Sequence, residues 1–475
     1  MAWLCVDAGT SVVKAVLIDE TGRELAIARQ SVPVSRPHPA YAEQDMRAVW
    51  DAVVSVSRTI TEQNLAEVEG IATTAQGDGC WLVDAAGEPV GPAILWNDGR
   101  AHEVVEPWRS EGIIEEAFRI SGSVAYPGLP NAIWRWLQAH DPQLLKRSRW
   151  SLTCNGWLYF KMTGEIEADL SDASNPFCDI VERCYSPELL RLYGVEEHAR
   201  LLPKIAREQP PRGTLLADSA QAIGARAGAA VVMAPYDIVA TAAGTGCLAE
   251  GEGCLILGTT ACPEVITSDP GRNGTPAGTT IALYSKNLYL RAMPTLTGCE
   301  AIDWAAATLR AESLEHLSCM AARAPAGSNG VVCVPYFSPA GERSPFLAPS
   351  AKASFLGVSL THTPEDLARA VFEGLSFAIR ECFSAASSTP LTRITICGGG
   401  SQSDLWCQMI ADVCGCEVLR SNTSESGARG AFFYATASCE CNVDGRLYEP
   451  RPGVYGDLFQ RFQKLRDTVI STWQI

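Results

Sequence analysis

Two stretches of this sequence share one pattern, and they lie about 250 residues apart. In each, a small turn that carries hydroxyl groups separates two runs of strand-forming apolar residues. The first copy spans residues 2–19, and the second spans residues 253–267. The two turns read Gly9-Thr10-Ser11 and Gly258-Thr259-Thr260. A strand–turn–strand unit repeated at this distance predicts a duplicated architecture, in which each half of the chain opens on the same unit.

The rest of the chain alternates between strand and helix patterns, which indicates layered α/β structure. Helical patterns cover residues 45–64, 101–119, 131–146, 298–310 and 363–388, and a last helix begins near residue 427. A length of 475 residues is enough for two or three domains with substantial cores. The small residues near position 245 predict a boundary that divides the chain into residues 1–245 and 246–475.

The charge balance bears on the class of partner. The chain carries a formal net charge of −16. Nucleic-acid binding needs clustered Lys and Arg, so this balance argues against nucleic acid as the main partner. A phosphate-bearing ligand remains compatible, because backbone N–H groups and a metal can hold it. The first residues lack a basic region, and no apolar run of about 18 residues occurs, so we expect neither a signal peptide nor a membrane span.

Cysteine usage points to a reducing compartment. The 18 cysteines are scattered through apolar segments, and no C-x-x-C pair occurs. Buried free thiols explain this distribution better than a disulfide framework or a zinc site. We therefore expect a cytoplasmic protein.

The two repeated turns have the features of phosphate-binding sites, although each alone is also compatible with an ordinary hairpin turn. Gly9 allows the backbone to approach a ligand closely, and the hydroxyls of Thr10 and Ser11 add donors to the N–H groups of the turn. Asp7, at the end of the first strand, is placed to hold Mg²⁺, and Lys14 adds a positive charge on the next strand. Two such turns at corresponding positions favour one nucleotide bound between the halves.

A third glycine-rich segment lies near the C-terminus. Gly398, Gly399 and Gly400 follow the buried strand pattern ITIC and precede a helix, with Ser401 beside them. The segment is neither a P-loop nor a dinucleotide-binding fingerprint. Glycines between a strand and a helix permit close approach of a ligand, so this segment is a candidate shelf for adenosine or else a plain loop.

One carboxylate has an unusual sequence environment. Asp237 stands alone in the apolar and small-residue stretch VVMAPYDIVATAAGTG (231–246). An ionised carboxylate buried without partners is costly, so the residue needs an explanation. The stretch itself is compatible with a helix cap at a strand end and with a catalytic base at the bottom of a cleft.

These elements, in this order, resemble the FGGY family of carbohydrate kinases, and the resemblance covers nearly the whole chain. The most specific stretch is ASFLGVSLTHTPEDLARAVFEG (353–374), which fits the family's second signature at many fixed positions. DAGTSVVK (7–14) resembles the family's first phosphate motif. AILWNDGRA (93–101) is close to the form found in xylulose kinases, and PYFSPAGERSPF (335–346) matches a Gly-Glu-Arg loop.

The resemblance implies a fold and a set of roles. The fold is α/β, with two ribonuclease-H-like domains of the actin-like ATPase type flanking a deep cleft. ATP and Mg²⁺ are then bound mainly by the C-terminal half, and a sugar mainly by the N-terminal half. Asp237 aligns with the family's general base and, with Asp7, lies near Mg²⁺. Gln76, Asp78 and Trp96 fall where the family contacts substrate hydroxyls.

Departures from the family pattern leave the substrate divided. Ile238 follows the aspartate where Asn or Gln is common, which resembles the branch of L-xylulose, 3-keto-L-gulonate and erythritol-type polyol kinases. The WNDGR segment instead resembles D-xylulose kinases. Asn155 replaces a common Asp, and no role is carried over to it. The expected substrate is therefore a xylulose-type ketose or a short polyol. The alternative is a catalytically degenerate sugar-sensing regulator, and a homodimer is compatible with either.

Overall fold

The computed structural model describes residues 2–63, 65–285, 287–437 and 444–473. The strands of the first half are β1 (Ala2–Ala8), β2 (Val12–Asp19), β3 (Glu24–Ser31), β4 (Glu43–Gln44), β5 (Val68–Ala75), β6 (Trp81–Val83), β7 (Ala93–Ile94), β8 (Trp150–Leu152), β9 (Ala168–Asp169), β10 (Cys178–Asp179), β11 (Cys184–Tyr185), β12 (Ile205–Ala206), β13 (Arg212–Thr214) and β14 (Ala230–Met233). Its helices are α1 (Met46–Thr61), α2 (His102–Ser110), α3 (Ile113–Ser121), α4 (Pro130–His140), α5 (Pro142–Arg147), α6 (Cys154–Thr163), α7 (Leu170–Ala173), α8 (Pro187–Leu192), α9 (Ala217–Ile223) and α10 (Asp237–Gly244).

The second half begins where α10 ends. Its strands are β15 (Glu252–Leu257), β16 (Ala261–Thr267), β17 (Thr279–Ala282), β18 (Tyr289–Ala292), β19 (Val332–Val334), β20 (Ser354–Leu356), β21 (Arg393–Cys397), β22 (Glu417–Ser421) and β23 (Gly445–Tyr448). Its helices are α11 (Cys299–Thr308), α12 (Leu314–Arg323), α13 (Pro364–Ala386), α14 (Asp404–Cys414), α15 (Ser426–Thr436) and α16 (Gly456–Ile470).

The two halves contain sheets with the same inner arrangement. The order is β13-β14-β5-β1-β2-β3 in the first sheet and β17-β18-β16-β15-β21-β22-β23 in the second. In the first sheet, β1 pairs antiparallel with β2 and parallel with β5, which is in turn parallel to β14. In the second, β15 pairs antiparallel with β16 and parallel with β21, which is in turn parallel to β22. This shared order confirms the duplicated architecture predicted from the repeated strand–turn–strand units.

This topology determines where the candidate site residues lie. The carboxyl ends of parallel strands meet at one edge of a sheet, and ligands of open α/β sheets bind there. In the first half, β1 leads into Gly9, β5 into Gln76, and β14 into Asp237. In the second half, β15 leads into Gly258 and β21 into Gly398.

Helix α13 forms the centre of the second core. Pro364 occupies its first turn, and Thr363 and Asp366 form a reciprocal capping box at its start. The helix buries Val371, Phe372 and many other side chains along its length. Most of the family's second signature is therefore packing.

Two predicted helices are each divided in the structure. The pattern over 101–119 forms α2 and α3, because Gly112 adopts a left-handed conformation between them, with φ of +78°. The pattern over 131–146 forms α4 and α5, because Asp141 ends the first helix and caps the second.

The halves are joined by helices as well as by the chain connection. Helix α15 belongs to the second half but packs on the first sheet, where Ala428, Ala431 and Phe432 share a buried cluster with Val16 and Ala72. It also crosses α10 closely, because glycines lie at the crossing. A Cβ atom at Gly430 would overlap the carbonyl oxygen of Ala240, and one at Gly244 would overlap that of Ser426. Among the described residues, no helix is long and apolar enough to cross a membrane.

Candidate active site

Two carboxylates meet where the halves join. Asp7 ends β1 with its side chain 13% exposed, and Asp237 is the partly exposed first residue of α10. Burial, together with the negative charge of Asp7, raises the pKa of Asp237 to about 8, although a hydrogen bond from the backbone of Ile238 opposes the change. Burial also raises the pKa of Asp7 to about 6, against the positive charge of Lys14. The pair is therefore poised to take up a proton or a cation.

The first hydroxyl turn is hydrogen-bonded to Gln76 and Trp96, two residues predicted to contact the substrate. The Thr10 hydroxyl donates to Gln76 Oε1 at 2.9 Å and accepts from Trp96 Nε1 at 2.9 Å. Gln44 Nε2 donates to the Thr10 carbonyl at 2.8 Å, and Gln44 Oε1 accepts from Gln76 Nε2 at 3.0 Å. Ser11 is exposed at the tip of the turn. The structure thus brings Thr10, Gln76 and Trp96 into one network, with Gln44 as a member that the sequence did not indicate.

The second hydroxyl turn faces outward from the second sheet. The Gly258 N–H donates to the Thr260 carbonyl at 3.0 Å, which closes the turn, and Thr259 is exposed. The start of α11 lies against this turn, because the Cys299 N–H donates to the Gly258 carbonyl at 3.0 Å. The second turn, with its N–H groups and the exposed Thr259 hydroxyl, therefore resembles the first turn, which carries Thr10 and Ser11.

The glycine segment after β21 opens at Gly399. Gly398 has φ of +90°, and a Cβ atom there would lie 2.5 Å from the Leu257 carbonyl oxygen, so only glycine fits. A Cβ atom at Gly399 would meet nothing within 4 Å, so this position presents open backbone. The Ser401 side chain is buried, and its hydroxyl donates to the Gly398 carbonyl at 2.7 Å. Ser401 therefore holds the turn, while Gly399 offers the accessible surface.

The Asp78 carboxylate is held by partners that are far away in the sequence. It has a left-handed backbone, with φ of +54°. Tyr126 donates its hydroxyl to Asp78 Oδ2 at 2.7 Å, and Asn175 Nδ2 donates to Oδ1 at 3.2 Å. Burial raises the pKa of Asp78, and these two hydrogen bonds oppose the change. The Arg343 guanidinium of the second half lies 5.9 Å from the centre of the Tyr126 ring, so both halves contribute to this side of the site.

Two other polar residues near the site have structural roles. Asn155, in α6, is fully buried, and its Nδ2 donates to the Ala234 carbonyl at 2.7 Å, just before the loop that carries Asp237. The Asp98 carboxylate accepts from the Ala42 N–H at 2.6 Å and pairs with Arg100, and so fixes the loop beside Trp96. Ile238 packs with the apolar cluster beneath α10.

The carboxylate pair fits a magnesium ion that accompanies a nucleotide. Among the described residues, no group of three or more His, Cys, Asp or Glu is placed to hold a metal by itself. Mg²⁺ in nucleotide sites is commonly held by one or two carboxylates together with the phosphates. Asp7 and Asp237 supply such a pair, and the negative charge of Asp7 adds to burial in raising the pKa of Asp237, which a bound cation would oppose.

A separate cavity lies elsewhere on the first half. It has a volume of about 1030 Å³ and is lined by residues of the proline-rich segment 203–211 together with Trp150 and Tyr185. None of the candidate site residues lines it. It lacks the convergent carboxylates and amides of the site between the halves, and we assign it no role in the chemistry.

The chain matches known proteins over nearly its full length. Residues 2–244 match the N-terminal domain, and residues 253–439 the C-terminal domain, of the FGGY family of carbohydrate kinases. Xylulose kinase of Escherichia coli is 30% identical over 429 residues, covering 87% of this chain and 85% of the relative. Erythritol kinase of Brucella abortus is 30% identical over 453 residues, covering 91% of this chain and 86% of the relative.

The fold also matches a solved structure. Ligand-bound xylulose kinase from Lactobacillus acidophilus superposes with a TM-score of 0.92 at 22% identity, covering 100% of this chain and 99% of that one. This likeness confirms the predicted fold class, with two α/β domains of the actin-like ATPase type. The chain therefore belongs to the FGGY family of carbohydrate kinases, enzymes that transfer a phosphoryl group to an alcohol.

Proposed function

We propose that this protein transfers the γ-phosphoryl group of ATP to a hydroxyl of a xylulose-type ketose or a short, erythritol-type polyol. The observation that carries the proposal is the position of Asp237. Its carboxylate is partly exposed, and it lies close enough to Asp7 and Asp78 for both of their charges to act on its pKa. The names of the relatives support both substrate classes.

In this reaction Asp237 is the general base. It accepts the proton of the substrate hydroxyl while the hydroxyl oxygen forms a bond to the γ-phosphorus, and the bond from that phosphorus to the β–γ bridging oxygen breaks to release ADP. The raised pKa of Asp237 suits the task, because a stronger base takes the hydroxyl proton more readily once it is ionised.

Asp7 and Asp237 would hold Mg²⁺, which when bound offsets negative charge on the β and γ phosphates. The phosphates would lie between the turn of Gly9, Thr10 and Ser11 and the turn of Gly258, Thr259 and Thr260, with the exposed hydroxyls of Ser11 and Thr259 as hydrogen-bond donors. Lys14 adds a positive charge beside Asp7. The open backbone at Gly399, between Gly398 and Gly400 and held by Ser401, would support the adenosine.

Substrate hydroxyls would be bound on the first half. Asp78 is already fixed by Tyr126 and Asn175, so it would accept hydrogen bonds from the substrate without reorganisation. Gln76 and Trp96, which are both hydrogen-bonded to Thr10, would line the same substrate site. A substrate that lacks a matching hydroxyl leaves a buried acceptor unpaired, which costs about 1–3 kcal/mol. This cost would separate xylulose-type ketoses from shorter polyols.

Three further expectations accompany this function. We place the protein in the cytoplasm, which fits sixteen described cysteines that are all free thiols. We assign sugar binding and the base to residues 1–245 and nucleotide binding mainly to residues 246–475. A homodimer is compatible with this assignment and is open to measurement by sedimentation.

The test is ADP release across a panel of pentuloses, tetritols and pentitols. We expect one substrate class to be phosphorylated, and Asp237→Asn to lower kcat by roughly 10²–10⁴-fold, the usual contribution of a general base. ATP binding should persist in the variant, which separates lost chemistry from lost structure. The sugar-sensing alternative predicts that the wild type binds a sugar but releases no more ADP than Asp237→Asn with every candidate.

A further inference from the structure

A row of charged side chains crosses the first sheet beside the proposed phosphate site. Asp7, Lys14 and Arg29 lie directly opposite one another on β1, β2 and β3, so their side chains share one face. Two positive charges in adjacent cross-strand positions repel each other unless an anion lies between them. The anion is Glu425, which comes from the second half, immediately before α15.

Glu425 is firmly fixed in this position. Its side chain is only 3% exposed, it accepts from Arg29 Nε at 3.1 Å, and it also pairs with the Arg29 Nη2 group. The following helix, α15, is packed on the first sheet and against α10. A Cβ atom at Gly427 would lie 2.8 Å from Asp7 Oδ2, so the start of α15 directly borders the Asp7 carboxylate.

Lys14 lies between two carboxylates but contacts only one of them closely. Its Nζ is 2.9 Å from Glu425 Oε2 and 4.0 Å from Asp7 Oδ2. At 4.0 Å, the ammonium lies beyond hydrogen-bonding distance of the Asp7 carboxylate oxygen. Lys14 therefore lends positive charge to Asp7 without occupying its oxygens.

We propose that Glu425 is a positioning residue for the phosphoryl-transfer site. It holds the Lys14 ammonium away from Asp7 and so leaves the Asp7 oxygens free for the magnesium ion that accompanies ATP. Without the Glu425 charge, Lys14 is drawn to the remaining carboxylate, closes the 4.0 Å gap and competes with the cation. This inference rests on the proposed function and deepens it, because it makes metal use depend on a residue of the second half.

The test measures binding of a non-hydrolysable ATP analogue, adenylyl imidodiphosphate, by calorimetry with and without Mg²⁺. The quantity to compare among variants is the affinity measured with Mg²⁺ divided by the affinity measured without it. We expect Glu425→Gln to lower this ratio by about 10-fold, since an opposite charge brought against a carboxylate changes its affinity for a cation by about that factor or more. Affinity without Mg²⁺ should stay within about 2-fold of the wild type.

Two further variants keep the test specific. Glu381→Gln is the matched control, because Glu381 is a buried glutamate paired with Arg466 outside the site, and its side chain is 5% exposed. We expect it to leave the ratio unchanged. In a Lys14→Met background, Glu425→Gln should have a much smaller effect, because only the direct action of the Glu425 charge on Asp7 then remains.

The outcomes separate this proposal from the function on which it rests. An unchanged Mg²⁺ ratio in Glu425→Gln, an equal loss of affinity with and without Mg²⁺, or an undiminished effect in the Lys14→Met background would each overturn the positioning role and leave the kinase function standing. A wild-type protein whose analogue binding ignores Mg²⁺ would overturn both.

Discussion

The role proposed for Asp237 joins catalysis to a cost in stability. A base must be ionised to accept a proton, yet this carboxylate lies in a setting that favours its neutral form. The negative charge of Asp7 beside it adds to the effect of burial. The ligand-free protein therefore carries an unfavourable site that substrate and cation binding would relieve.

This cost predicts a pH dependence of folding. The pKa of Asp237 is about 8 in the folded protein and near its ordinary value of 3.8 in the unfolded chain, so the folded state binds more protons between these values. The free energy of unfolding should therefore fall as pH rises from 5 to 8. Asp237→Asn removes this contribution, and we expect it to gain roughly 1–3 kcal/mol over the wild type at pH 8 relative to pH 5.

Urea unfolding of both proteins at the two pH values, without ligands, measures the difference. Comparing the two proteins isolates the charge of Asp237 together with its effect on the buried acids that it reaches, Asp172 and Glu264. If the stability of wild type and variant changed with pH in parallel, the pKa of Asp237 would not be raised in the folded state.

At the scale of elements, the crossing of α10 and α15 sets the geometry of the site. Helix α10 begins at Asp237, and α15 begins beside Asp7, so a shift of these helices against each other would displace the backbone next to both carboxylates. Glycine at the crossing lets the backbones approach more closely than any side chain allows.

We predict that Gly430→Ala destabilises the protein by about 1–3 kcal/mol, as overpacking does, and lowers kcat by displacing Asp237. Helix propensity alone predicts that the substitution stabilises the protein, because alanine favours a helix by about 1 kcal/mol over glycine. The control is Gly456→Ala at the start of α16, where an added Cβ meets nothing within 4 Å. Thermal melts and steady-state kinetics of both variants check the prediction, and equal behaviour would exclude a tight crossing.

At the scale of the whole molecule, the two halves share a core. The face of the first sheet that carries Val16, Ile18 and Val232 is covered by α15 of the second half. Other contacts reinforce the junction, including the hydrogen bond between the Ser123 and Thr279 hydroxyls at 2.9 Å. The boundary near residue 245 divides the sequence, but the packing crosses it.

We therefore predict that residues 1–245, expressed alone, do not fold as a stable unit, because the α15-binding face of the sheet is exposed. The full chain should unfold in a single calorimetric transition whose calorimetric and van't Hoff enthalpies agree. A fragment with a sharp, cooperative melt would contradict this prediction, and so would two separate transitions in the full chain.

Local patterns in the sequence determined most of the elements. The strand–turn–strand units, the helix capped at Asp45 and the capping box before α13 all follow from residues within a few positions of one another. Backbone hydrogen bonding and side-chain periodicity act at this range, so they can be read without the fold. The Asp237 stretch and the glycine turns can also be recognised from the local sequence, because their composition is itself unusual.

The partners of the site residues were decided only by the tertiary structure. Tyr126 and Asn175 reach Asp78 across 48 and 97 residues, and Glu425 reaches Arg29 across 396. None of these partners has a distinctive neighbourhood in the sequence, and each is a common residue type in an ordinary segment. They meet because α15 and the connecting loops of both halves pack at the carboxyl ends of the parallel strands. The sequence by itself determined which residues end those strands, whereas the packing of the two halves decided which side chains stand opposite them.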